Sequence, residues 1–246
     1  MDKTALNRYF RNIFLFLIFC FGVWAERTGY IEEMAYYQED VIYLAGEHLY
    51  LTLVSGGLAV LTGVPLGIYL SRPKMAQRAE ASMQLLNIGG TIPTLALLAL
   101  AMSVLGIGNN AAIFGLWVAT LLPIVRNTFT GLRSVPAHMK EAARGMGMTP
   151  GQMLRQVELP NSLFVIMAGI RTALAINIGT APLAFLIGGT SLGELIFTGI
   201  AVDDQAMMLA GAITTALLAV VIDFALGLLT MAFVSRGVNP LRQRTA

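Results

Sequence analysis

Charge is what this sequence lacks most. Only 12% of its 246 residues are Asp, Glu, Lys or Arg, about half the share of an ordinary water-soluble domain. With 56% hydrophobic residues and a mean hydropathy of +0.71, the composition is that of a polytopic membrane protein. Cysteine is nearly absent: Cys20 stands alone in an apolar run. No intrachain disulfide can form, and the thiol reads as a small hydrophobe. The two histidines, His48 and His138, lie 90 positions apart, so they support neither a metal-ligand set nor a catalytic triad. None of the three lysines (Lys3, Lys74 and Lys140) sits in a glycine-rich loop, and no G-x-x-x-x-G-K-[ST] run occurs, which excludes ATP binding through a P-loop. An enzyme therefore has little to stand on. There is no internal repeat or low-complexity tract, and the non-membrane segments, of about 35 residues at most, are too short for a core of their own.

What is present is a series of apolar runs separated by charge. Residues 1–12 carry Lys3, Arg8 and Arg11 against Asp2. The uncharged run 13–25 is a first span at the short end of the usual length. Val23 and Ala25 also fit the small-residue pattern before a signal-peptidase cut, so a cleaved leader is the alternative. Either way the next segment emerges outside. That segment, 26–46, is acidic, with Glu26, Glu32, Glu33, Glu39 and Asp40 against Arg27. Tyr30, Tyr36, Tyr37 and Tyr43 are interleaved as in an interfacial aromatic belt. A second span covers 49–70, with Gly63 and Gly67 spaced for close helix approach and Pro65 as a kink. The basic cluster Arg72, Lys74 and Arg78 follows. The third span, 83–105, contains a break at Gly89-Gly90-Thr91-Ile92-Pro93. The fourth, 111–125, ends at Arg126 and Arg133. The fifth, 163–187, is interrupted by Arg171, Asn177 and Pro182. An acidic outer segment with Glu194, Asp203 and Asp204 leads to the sixth, 206–234, which holds Asp223. A basic tail, 235–246, follows.

Fourteen of the sixteen Lys and Arg residues then fall on one side of the membrane, and nine of the fourteen acids on the other. Bases mark the cytoplasmic face. The expected fold class is an all-α integral membrane protein of six transmembrane helices with both termini cytoplasmic.

The cytoplasmic stretch 135–160 has its own local chemistry. Pro136 suits a first helical turn, and Gly145 and Gly147 suit that helix's end. Thr149, Pro150 and Gln152 read as N-cap, N1 and N3 of a second helix with a capping box, which Leu159-Pro160 should close. Within this stretch, Glu141-Ala142-Ala143 is followed after three residues by Gly147 and after nine more by Val157-x-Leu159-Pro160. This spacing resembles the EAA loop of ATP-binding cassette (ABC) importer permeases, with Val157 in place of Ile. Residues 47–234 are similar to the transmembrane domain of that class, the type I (MetI-like) fold. Three stretches resemble its osmoprotectant branch, the importers of glycine betaine, choline and carnitine: His48 to Ser55, Thr91 to Ala96, and Gly169 to Ala173 with Asn177 to Ala181. Gly145-Met146-Gly147-Met148 does so as well.

The resemblance implies a multi-pass permease subunit of the bacterial inner membrane that binds no cofactor itself, with ATP held by separate cytoplasmic ATPase subunits. It implies a separate extracytoplasmic substrate-binding protein, a second permease copy of the same or a different chain, and no nucleic-acid partner. The loop would dock in the ATPase as a coupling helix through Lys140, Glu141, Ala142, Ala143, Gly147, Leu159 and Pro160. Ala142 and Ala143 would present a smooth surface, Gly147 would permit the bend, and Met146, Met148 and Met153 would pack against the partner.

Polar residues at membrane depth are functional candidates because they are costly in lipid. Arg171 lies about 12 Å into the fifth span and Asp223 about 16 Å above the inner end of the sixth, by helical rise. The two either pair, or Arg171 snorkels and Asp223 faces a cavity alone. Thr91 and Pro93 in the third span, with Asn177 and Thr180 in the fifth, mark irregular helix. Such backbone lines a wet path or is buried in helix–helix hydrogen bonds; these four residues are expected to gate the translocation path. Two other functions compete with osmoprotectant import: an ABC permease for another small solute such as an amino acid, and a stand-alone secondary transporter.

Overall fold

The computed structural model describes residues 29–234, with scattered positions between 16 and 27. The termini 1–12 and 235–246 lie outside the described residues, as does most of the expected first span, 13–25. The described chain is helical, with no strand among its residues. In order the elements are α1 (Tyr30–Tyr36), α2 (Gln38–Leu70), α3 (Ala76–Gly90), α4 (Thr94–Leu105), α5 (Asn109–Arg133) and α6 (Ala137–Gly145). Then come α7 (Pro150–Met153), a π-helical segment (Leu154–Glu158), α8 (Leu159–Thr180), a 3-10 segment (Ala181–Ile187), α9 (Gly193–Val202) and α10 (Gln205–Phe233).

Four continuous helical stretches among the described residues are long and apolar enough to cross a membrane: Gln38–Leu70, Asn109–Arg133, Pro150–Ile187 and Gln205–Phe233. They account for the second, fourth, fifth and sixth expected spans. α2 is longer than its apolar run. Its 33 residues reach about 50 Å by helical rise, against about 30 Å of hydrocarbon, so Glu39 and Asp40 in its first turn stand clear of lipid.

The third expected span is not one rod. α3 and α4 meet at 92°, and the twelve residues of α4 cover only about 18 Å. Gly89 and Gly90 weaken the helix. Pro93 then pushes the preceding residue out of helical conformation and offers no N–H of its own.

The spans α2, α5 and α8 make the centre of the fold. Ala59, Ile124 and Ala173, one from each, are buried together. Small residues let the backbones touch. A Cβ on Gly67 would lie 2.6 Å from the Thr128 Cβ and 2.9 Å from the Val125 carbonyl, and one on Gly169 would lie 3.0 Å from the Pro123 carbonyl. A second apolar cluster joins Leu51, Leu98, Leu116 and Ile187, and so ties α4 and the 3-10 segment to the same centre.

At the outer end Asp204 caps α10, accepting from the Met207 N–H at 2.8 Å. The Tyr37 hydroxyl donates to the same carboxylate, which fastens the α1–α2 corner to α10. The Met207 N–H and the Tyr37 hydroxyl hold the Asp204 carboxyl below its ordinary value. In return the hydrogen bond to Asp204 pushes the Tyr37 phenol up to about 12. The tie is therefore complete at neutral pH and is lost only as acid protonates Asp204 below the usual carboxylate range or as base ionises Tyr37.

Candidate functional site

The stretch 135–160 folds as its glycines and capping residues require. α6 starts after Pro136, whose φ of −54° and ψ of 138° place it at the N-cap, one position before the expected first turn. At the other end Gly147 has φ +77°. Its N–H donates to the Arg144 carbonyl at 2.9 Å, and the Met148 N–H donates to the Ala143 carbonyl at 3.1 Å. This is the paired Schellman closure that a left-handed residue permits. The next helix opens with the capping box: the Gln152 N–H donates to the Thr149 hydroxyl at 3.4 Å, and the Thr149 N–H to Gln152 Oε1 at 2.8 Å.

That second helix does not stop at Leu159-Pro160. It passes through the π-helical turn, where the Leu159 N–H reaches the Leu154 carbonyl five residues back, and continues as α8. The wider register makes room for the Pro160 ring, which in a regular helix clashes with the carbonyl four residues back. Asn161 Nδ2 adds a bond to the Val157 carbonyl at 2.7 Å.

The expected docking residues divide into two sets. Glu141, Ala142 and Met146 are exposed, Met146 by 69%, and Glu141 has no partner among the described residues. Ala143 is 1% exposed and packs against the chain's own interior, so the smooth outward surface expected of both alanines belongs to Ala142 alone. Lys140 points back, its Nζ donating to the Leu132 carbonyl at 3.0 Å. Gly147 is exposed, Leu159 half-buried and Pro160 exposed.

Arg171 and Asp223 are brought together. The guanidinium donates from Nε to Oδ1 at 3.0 Å and from Nη2 to Oδ1 and Oδ2 at 2.8 and 2.7 Å. Both side chains stay partly open, at 33% and 49%. They separate two grooves of about 620 and 520 Å³, the first lined by Ala168, Thr172 and Ala175, the second by Phe224, Gly227 and Leu228.

The four gate candidates do not converge. Asn177 is fully buried and donates through Nδ2 to the Ser55 hydroxyl at 2.8 Å. It takes the helix–helix alternative rather than an open lining. Thr180 bonds back to the Ile176 carbonyl at 2.8 Å within its own helix. Thr91 and Pro93 are exposed at the α3–α4 bend, where the Thr91 hydroxyl donates to the Ile88 carbonyl at 2.7 Å.

Residues 63–233 match the family described as the binding-protein-dependent transport system inner membrane component. This chain belongs to that family. It is 51% identical over 86% of its length, and 89% of the relative's, to the osmoprotectant import permease protein OsmY of Salmonella typhimurium. It is 40% identical to the choline transport system permease protein OpuBB of Bacillus subtilis, over 83% of this chain and 93% of that one. Among solved structures, the inward-facing MetNI methionine ABC transporter matches with a TM-score of 0.71 at 27% identity, covering 79% of this chain and 96% of that one. The chain is thus a multi-pass inner-membrane transport permease of the ABC importer class. Importers of its class work with an ATPase and a binding protein.

Two side chains of the permease that matter for its geometry were not singled out by sequence. Glu158 is 5% exposed, with Arg72 Nη1 2.7 Å from Oε2 and Lys140 Nζ 3.9 Å from Oε1. It occupies the unspecified position of Val157-x-Leu159-Pro160, and its one sequence signal is an acid set between apolar residues. The other is His48, fully buried, with Nε2 3.1 Å from the Ile178 carbonyl. An α-helix would pair that carbonyl with the N–H of residue 182, but residue 182 is proline. His48 supplies the missing donor, so its Nε2 carries the proton. The signal was Pro182, which frees a carbonyl four residues earlier.

Proposed function

We propose that this chain forms the membrane path of an ATP-driven importer of quaternary-amine osmoprotectants such as glycine betaine, carnitine or choline. The observation that carries the transport reading is the exposed face of α6, with Glu141, Ala142 and Met146 held outward by the left-handed turn at Gly147. This face docks in a cleft of the ATPase subunit, which binds the ATP that this chain has no P-loop to hold. Closure of two such subunits rocks the spans of two permease copies between inward- and outward-open states, the two-state element that alternating access needs. A separate binding protein delivers solute to the acidic outer face, and the Arg171–Asp223 pair borders the path. The choice of solute is supported by the named relatives OsmY and OpuBB, which are 51% and 40% identical over the aligned residues.

The test is uptake of labelled glycine betaine, carnitine and choline into cells that lack other importers, with the permease expressed alone or with its ATPase and binding protein. Uptake is expected only with all components, and the ATPase should co-purify with the permease. Uptake by the permease alone would make it a secondary transporter. Uptake of an amino acid in place of the amines would move it to another branch.

A further inference from the structure

Glu158 joins elements that are distant in the chain. Its carboxylate is nearly out of contact with solvent, and a buried charge is tolerated only when paired and hydrogen-bonded. The pairing comes from two directions. Arg72 sits just beyond the inner end of α2 and is itself fixed there, Nε on the Ile68 carbonyl at 3.1 Å and Nη2 on the Ser71 hydroxyl at 2.9 Å. This leaves Nη1 for Glu158 Oε2 at 2.7 Å. Lys140 comes from α6 and is anchored to the last turn of α5 through the Leu132 carbonyl, with Glu158 Oε1 3.9 Å away. The ends of α2 and α5, the helix α6 and the foot of α8 therefore meet at one carboxylate.

The π-helical turn contributes to this. Glu158 is its last residue, and the extra residue in the turn rotates Glu158 by about 100° relative to α7 compared with a regular helix. Besides the Lys140 bond to Leu132 and the buried Ala143, α6 is joined to the spans by the short link through Ser134 and Pro136 on one side and by the Gly147 turn on the other. A link and a turn can bend, whereas a paired, buried carboxylate resists displacement.

We propose that Glu158 is the positioning residue that locks α6 to the inner ends of α2, α5 and α8, so that a push on α6 moves the spans rather than flexing the loop. This rests on the reading of α6 as the ATPase-docking helix. Without the lock, the ATPase still binds and hydrolyses ATP, but less of each stroke reaches the path. Glu158 is thus a coupling residue without itself touching ATP or solute.

The test is the reconstituted importer, complete with ATPase and binding protein, carrying Glu158→Gln, Arg72→Gln or both together. For E158Q the ATPase is expected to co-purify and hydrolyse ATP at the wild-type rate, while solute imported per ATP falls roughly tenfold, within the usual span of coupling between sites. R72Q should lose less, because the Lys140 contact with Glu158 remains, and the double variant should be no worse than E158Q, which already removes the Arg72 pair. An unchanged ratio in E158Q would overturn the lock. So would losses in the double variant beyond those of E158Q, or loss of hydrolysis and import in step. If the wild-type permease retains no ATPase, the docking reading fails, and the lock fails with it.

Discussion

Gly147→Val is expected to abolish solute uptake while the permease inserts into the membrane at its normal level. The reason is conformation, not space. A Cβ at this position would meet nothing within 4 Å, but φ is +77°, a region that costs an L-residue roughly 1–2 kcal/mol and a β-branched one more. Leaving it breaks both bonds that close α6, Gly147 N–H to Arg144 and Met148 N–H to Ala143. The exposed face of α6 then no longer meets the ATPase at a fixed angle. The cause predicts an order. Asn tolerates the left-handed region better than other side chains, so Gly147→Asn should keep more uptake than Gly147→Ala, and Ala more than Val. Uptake measured beside membrane level checks it. If Ala works and Asn does not, the constraint is the partner's surface and not the turn.

Removing either member of the Arg171–Asp223 pair should be nearly as severe. Arg171→Ala leaves a carboxylate, and Asp223→Ala a guanidinium, without its partner at membrane depth. A lone charge near the middle of a span costs about 2.5–3.5 kcal/mol on insertion scales, and the bidentate geometry adds three hydrogen bonds to the loss. Each single variant should therefore lose uptake by roughly tenfold or more, with part of the loss in membrane level. The exchange Arg171→Asp with Asp223→Arg keeps one charge of each sign on facing helices and should restore both. An exchange that inserts normally yet transports no better than the single variants would mean that the two positions have separate tasks.

What could be read from the residues alone was what local chemistry decides. Gly147 ends α6, and Thr149 with Gln152 opens the next helix, because a left-handed cap and a capping box each need only their own few residues. Arg171 and Asp223 were placed at similar depth by counting helical rise from the charged ends, and a long guanidinium covers the remainder. The hidden features depend on neighbours. Pro160 stops a helix in isolation, but the π-helical turn makes it compatible with a continuous one. Asn177 was read as a gate from its polarity and from the proline after it, and both signals serve equally well for a side chain that bonds Ser55 across a helix contact. Ala142 and Ala143 are identical in sequence terms, and only the packing of α6 shows that one faces out and the other in. The 92° turn between α3 and α4 was visible as a break, but no residue states its angle.

The continuity across Pro160 has a mechanical side. From Pro150 to Ile187 the helix runs for 38 residues, one end in the docking loop and the other bonded to Gly108, between α4 and α5, whose N–H donates to the Ile187 carbonyl. Gly169, where its backbone lies against α5 at the Pro123 carbonyl, is within a residue of the middle. The same helix also meets α5 at Gly131 and α2 at Gly56, so it is braced along its length. Under the proposed function, a displacement of its inner end is carried to its outer end together with the two helices it rests on.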